Sequence, residues 1–237
     1  AYTVDVGGSS PSGPTSPLLP TACGAPRVVR ECTSAGSASH SSTGLTGDII
    51  AAMTPVADLA LRALRRTSLE LGPGYTDGEL RDVQAEYGFT FQRDHADVLR
   101  EVTPEGWFDW LGDSTRVRAA LAWPIDGVLL DVKNAFWFPE WGIRPEPREA
   151  ALELASQHLA RVPQLVPVYG HRYIPAAPER SGAPVFSVYQ SDVIYYGADL
   201  ADYCVREFLD AAAGRTHRRP IRFWSDLADG AGGIQLW

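Results

Sequence analysis

The sequence predicts an α+β fold behind a disordered N-terminal leader, and three observations predict it. Residues 1–47 differ in composition from everything after them. Apolar residues recur at helical spacing through 55–102, 147–162 and 199–214. Apolar runs bounded by turn residues crowd into 127–132 and 164–196. Helices on both sides of a strand group, without regular β-α-β alternation, give α+β rather than α/β.

The leader comes first. Ser, Thr, Gly and Pro fill 27 of its 47 positions and Tyr2 is its one aromatic, so it has too little apolar surface to offset the entropy of ordering. A single domain is expected over residues 48–237, long enough to fold without a metal or disulfide. The chain's one methionine, Met53, stands just before Thr54-Pro55, an N-cap followed by proline at the first helical position. This suggests a native start near Met53, with a flexible linker as the competing explanation.

A first helix is expected over 55–70, with Val56, Leu59, Ala63 and Leu64, broken by Leu71-Gly72-Pro73-Gly74. A second opens at Thr76 with Glu79 three residues on, buries Leu80, Val83 and Tyr87, and ends at Gly88. A third starts at Asp94, with Val98, Leu99 and Val102 inward. The apolar run Gly127–Val132 reads as a strand, and Gln164–Ile174 as another, placed at a sheet edge by Pro163 and Pro167. Between them Pro147–Val162 is helical, with Ala151, Leu154, His158 and Leu159 on one stripe. Val185–Tyr189 and Val193–Tyr196 form a hairpin around Gln190-Ser191-Asp192. Asp199 and Asp202 cap a last helix carrying Leu200, Tyr203, Cys204, Phe208 and Ala211 on one face, ended by Gly214.

Net charge is −8 and Lys133 is the one lysine among 21 basic residues. An acidic chain lacks the basic surface that nucleic-acid affinity needs, so no nucleic-acid partner is expected. Arg215, Arg218, Arg219 and Arg222 read as a solvated tail after a helix C-terminus. Cys23, Cys32 and Cys204 give neither a disulfide framework nor a CxxC zinc site, and Cys204 falls on a buried helix face. There is no apolar run of membrane-spanning length and no signal-peptide pattern, so the expected compartment is the cytoplasm.

Chemistry-bearing motifs are few. Gly112-Asp113-Ser114 resembles the opening of a hydrolase site, but none of the histidines at 40, 95, 158, 171 and 217 has an aspartate three residues upstream. No G-x-S-x-G elbow, P-loop or H-x-x-x-H occurs, so no catalytic residue, metal or cofactor is expected. Two polar or aromatic groups remain as candidate partner-binding residues. His171, Arg172 and Tyr173 lie in Tyr169-Gly-His-Arg-Tyr173, where His171 either faces a partner or ties strand to loop. Trp107, Trp110, Trp137 and Trp141, with Arg144 in the same Pro/Gly-rich context, either anchor an interface or plug the open end of the sheet.

Several stretches in order resemble the SMI1/KNR4 (SUKH) superfamily, actinobacterial stand-alone type. They are Glu86-Tyr-Gly-Phe-Thr-Phe-Gln-Arg-Asp-His95, Trp123-Pro-Ile-Asp-Gly-Val-Leu-Leu-Asp131, Phe136-Trp137 with Trp141-Gly142, Leu165-Val-Pro-Val-Tyr-Gly-His-Arg-Tyr-Ile-Pro175, Pro184-Val-Phe-Ser-Val-Tyr-Gln-Ser-Asp-Val-Ile-Tyr-Tyr-Gly197 and Ile221-Arg-Phe-Trp-Ser225. Where the family often has a Gly-Gly turn after the entry helix, this chain has Thr103-Pro-Glu-Gly106. The resemblance implies a mixed β-sheet flanked by helices and a non-catalytic, protein-binding role, as in immunity proteins that neutralise toxin domains or in regulatory scaffolds. A hydrolase using Ser114 or His171 is the alternative.

Overall fold

The computed structural model describes residues 52–178, 180–209, 211 and 218–230. The leader, its boundary at 47/48, Cys23, Cys32, His40, His217, Gly214 and Arg215 lie outside the described residues.

Helix α1 (Pro55–Leu64) begins as its sequence demands: the Thr54 side chain accepts a hydrogen bond from the Ala57 amide and Pro55 occupies the first turn. It ends at Leu64, short of residue 70, and Leu59 faces solvent while Val56, Ala63 and Leu64 are buried. The segment expected only to break that helix forms a short strand, β1 (Leu71–Pro73), paired antiparallel with β2 (Val102–Pro104). Helix α2 (Asp77–Tyr87) carries the full capping box of Thr76 and Glu79 and closes on Gly88 at φ 70°, a left-handed cap that glycine adopts without strain. Helix α3 (Arg93–Glu101) opens on Gln92, and Val102, expected inside it, is extended backbone after its end.

A buried polar node ties these helices together. Asp94 is fully buried and its carboxylate accepts from the Thr54 hydroxyl at 2.6 Å, the Gln92 amide at 2.9 Å and the Gly182 backbone N–H at 2.8 Å. The Thr54 N–H donates to Asp97 at 2.9 Å. Such a carboxylate is tolerated inside because donors replace the lost water.

Helix α4 (Ser114–Lys133) overturns one expectation: Gly127–Val132 is its C-terminal part, not a strand. A short apolar run has no periodicity that separates strand from buried helix, and here Val117, Pro124, Val128 and Val132, all buried, keep helical spacing. A 3-10 turn (Pro139–Trp141) and α5 (Arg148–Leu159) follow, with Ala151, Ala155 and Leu159 buried and Leu154 and His158 half-buried.

The main sheet runs β3 (Leu165–Tyr169), β4 (Arg172–Pro175), β5 (Val185–Tyr189), β6 (Asp192–Gly197), in that spatial order and antiparallel throughout. The segment 164–174 is thus two strands, not one, and β3 is the edge that its prolines predicted. The implied mixed sheet is not found among the described residues. Two-residue turns join β3 to β4 and β5 to β6, and parallel neighbours would need long crossovers. Side-chain alternation feeds two cores. Val166, Ile174 and Val185 join Leu64, Leu99, Trp110, Leu200 and Tyr203 on one face. Leu165, Tyr173, Phe186, Val188 and Val193 join Val128, Val132, Leu159 and Trp224 on the other. Helix α6 (Leu200–Leu209) packs beside α1 and buries Leu200, Tyr203 and Cys204, with Phe208 half-buried and Ala211 exposed. Helix α7 (Trp224–Ala228) lies against β6.

Candidate functional site

Most of the candidate binding residues are interior. Trp107 and Trp110 are buried in the first core, Trp110 with its ring 4.9 Å from Phe91. Trp137 and Trp141 are buried in the second, Trp137 donating its indole N–H to the Gly142 carbonyl at 2.7 Å and Trp141 stacked on His158 at 5.6 Å. Tyr173 is buried as well, its hydroxyl donating to the Ala120 carbonyl at 3.0 Å and its pKa raised by burial. These five aromatics therefore hold the cores together and present no interface. Arg144 is half-buried: its guanidinium donates to the Val132 carbonyl at 3.3 Å and reaches the exposed Glu146 at 3.9 Å.

His171 is exposed, while Arg172 is half-buried. The Arg172 guanidinium lies 3.5 Å over the Tyr196 ring, pairs with Glu207 of α6 at 3.1 Å and donates to the Ser187 hydroxyl at 3.0 Å. It also contacts the exposed ring of His171, whose pKa is lowered by partial burial and then by the Arg172 charge. The His171 backbone carbonyl accepts from the Val188 N–H at 3.0 Å, a strand-to-loop tie. This cluster welds α6 to the sheet and satisfies its own charges.

The surface that sequence reasoning missed lies where α4 meets the β5–β6 hairpin. An added Cβ at Gly127 would stand 2.9 Å from the Gln190 Cα, so helix and turn touch backbone to backbone. One turn on, the Asp131 carboxylate accepts from the Ser191 N–H at 2.9 Å and its hydroxyl at 2.6 Å. Beside this fixed junction stand Trp123, Leu130 and Tyr189, 41 to 54 % exposed. The rings of Trp123 and Tyr189 meet at 6.3 Å. Trp123 and Leu130, seven residues apart, share the helix stripe beside the hairpin; Ile194, 50 % exposed and the diagonal cross-strand neighbour of Tyr189, alternates with Val193 and so lies on the sheet face away from α4. The exposed carboxylates of Asp126 and Asp192 flank the group. Reading 114–133 as one helix would have put Trp123 and Leu130 on its polar face, the signal available in the sequence.

The nucleophile candidates sit elsewhere. Ser114 is the exposed first residue of α4, and the neighbouring Asp113 carboxylate accepts from the Thr115 and Arg116 N–H groups, which hold its pKa down. Cys204 is fully buried and burial pushes its thiol pKa up. His95 is buried beside Phe91 and Trp107, with its pKa lowered to about 3 by burial. The described arginines of the basic run are dispersed: Arg218 lies 4.5 Å over Tyr195, Arg219 is half-buried and Arg222 exposed. Among the described residues no group of His, Cys, Asp or Glu is placed to hold a metal, and no helix is long and apolar enough to cross a membrane. No protein-family model, no curated protein and no solved structure matches this chain.

Proposed function

We propose that the chain is a non-catalytic protein-binding module that holds a basic partner on the apolar junction of α4 with the β5–β6 hairpin, and that it masks this partner as an immunity protein masks a toxin domain. One observation carries the reading: three large apolar side chains, Trp123, Leu130 and Tyr189, stand about half exposed beside a junction whose backbone is pinned by Gly127 and Asp131. Scattered exposed apolar residues are ordinary, whereas a grouped set on rigid elements suits an interface anchor with an O-ring of polar neighbours. Asp126 and Asp192 at the rim and the net charge of −8 favour a basic partner, since rim charges steer association. The resemblance to the SMI1/KNR4 superfamily points the same way, and a regulatory scaffold would use the same surface.

The test is capture of a stoichiometric partner from the native host, followed by single alanine variants with unchanged melting. Trp123→Ala or Tyr189→Ala is expected to weaken binding by about 2 kcal/mol, roughly thirtyfold. Binding at wild-type strength in both variants would refute the site. Turnover of a substrate, abolished by Ser114→Ala or His171→Ala, would refute the non-catalytic role.

A further inference from the structure

The junction of α4 with the hairpin carries an aromatic corner. Trp123 and Tyr189 meet at 6.3 Å with their ring planes at 60°, an open V. After that contact Trp123 is still 41 % and Tyr189 54 % exposed. The backbone beneath them is fixed: Pro124 and Val128 are buried on the inner side of α4, and Gly127 lies against Gln190.

Two carboxylates stand beside the rings. Asp126 follows Trp123 by three residues and precedes Leu130 by four, so the three are neighbours on one surface of α4. Asp192 is the residue paired opposite Tyr189 across the hairpin. Both are exposed, and neither has an ion-pair partner among the described residues. The third carboxylate here, Asp131, is already engaged by Ser191.

An acidic pair alone would be ordinary solvated surface, and an aromatic pair alone would take any apolar group. Together they fit one side chain. A guanidinium is flat and weakly hydrated, so it lies over an aromatic ring while its fork of N–H groups reaches a carboxylate at the margin. Its methylene stem can cover apolar surface such as that of Leu130. A lysine ammonium is a compact, strongly hydrated point charge that gains less from a ring face. A quaternary ammonium is held by a cage of rings, and this corner offers two.

We infer that the corner receives an arginine side chain of the partner, its guanidinium over the Trp123 and Tyr189 rings and its N–H groups toward Asp126 or Asp192. This rests on the binding reading above and names the group that the site selects.

The experiment uses the full chain and a displayed library of random short peptides. Each selected peptide is remade with lysine, or with neutral citrulline, in place of each arginine, and its affinity is measured by titration. Binders should carry one arginine whose change to citrulline weakens binding about tenfold or more, and whose change to lysine weakens it about threefold or more. On a chain carrying Asp126→Asn and Asp192→Asn the same citrulline change should cost about threefold or less, a coupling that direct contact produces. Both aspartates are exposed, so this variant should melt as the wild type does, which keeps the test independent of Trp123→Ala. Binders that depend on Trp123 or Tyr189 yet bind equally well with citrulline overturn the arginine inference while the binding-module reading stands. Arginine-dependent binders indifferent to both rings and both aspartates overturn the inference and the junction together. A library that yields no binder overturns the inference as well.

Discussion

Acidification should weaken this fold through one side chain, His95. It is 1 % exposed, packed edge-on to Phe91 at 5.3 Å and beside Trp107 at 6.0 Å, and neither ring nitrogen has a hydrogen-bond partner among the described atoms. Burial penalises the imidazolium and lowers its pKa from 6.5 to about 3, with the Asp94 charge opposing only in part. Because the folded pKa is depressed, the unfolded chain binds the extra proton first. Stability is then complete above about pH 6.5 and is lost as pH falls toward about 3. Those two values imply a loss of about 2 kcal/mol between pH 7 and pH 5, or roughly 4–8 °C in melting temperature for a domain of this size. Carboxylates and His171 also contribute, so the assay compares wild type with His95→Leu across the same pH range. The leucine variant should match or exceed wild type by about 1 kcal/mol at pH 7, since two orphaned polar atoms are replaced by apolar ones. Its acid slope should be shallower by the amount above. Parallel curves for the two proteins between pH 7 and pH 5 would refute the buried, neutral imidazole.

Three further outcomes are expected. Cys204→Ser should cost about 1–3 kcal/mol in denaturant titration by placing a hydroxyl on a buried helix face, and the native thiol should react with a labelling reagent far more slowly than a free peptide does. Gly127→Ala should destabilise by about 1–3 kcal/mol, because a Cβ 2.9 Å from the Gln190 Cα outweighs the helix-propensity gain of about 1 kcal/mol; a stabilised variant would show that α4 and the hairpin do not touch there. Thr76→Ala should lose about 1 kcal/mol by chemical unfolding, since it removes the side chain that caps the Glu79 N–H at 3.2 Å and pairs with its carboxylate; no change would mean that the capping box contributes nothing.

Local chemistry made much of this fold legible. Thr54-Pro55, Thr76 with Glu79, and Gly88 act within one turn of the chain, and the hairpin at 185–197 announces itself by alternation around a polar turn. Pro163 and Pro167 marked β3 as an edge because proline donates no ladder hydrogen bond. What failed depended on distant partners. The run 127–132 is strand-like on its own, and only the spacing from Val117 onward, across Pro124, shows a helix. Nothing local tells whether an aromatic in a loop faces in or out. Trp137 and Trp141 were candidates for the surface and lie beneath it, covered by α5 and the segment around Phe223. Trp123 was hidden by the error over its own helix, and so the junction went unseen.

The buried node at Asp94 has a mechanical consequence. A pull on the chain at residue 52 meets α1 at its first turn, and a helix loaded at its end ordinarily unzips one turn at a time. Here the load passes at once into α3: Arg93 donates to the Ala52 carbonyl at 2.5 Å, the Thr54 N–H bonds to Asp97, and the Thr54 hydroxyl bonds to Asp94. Through Asp94 it reaches Gly182, more than eighty residues further along the chain. The start of α1 is thus riveted to α3 by two buried bonds of Thr54, which must break before the first turn of α1 can leave the domain.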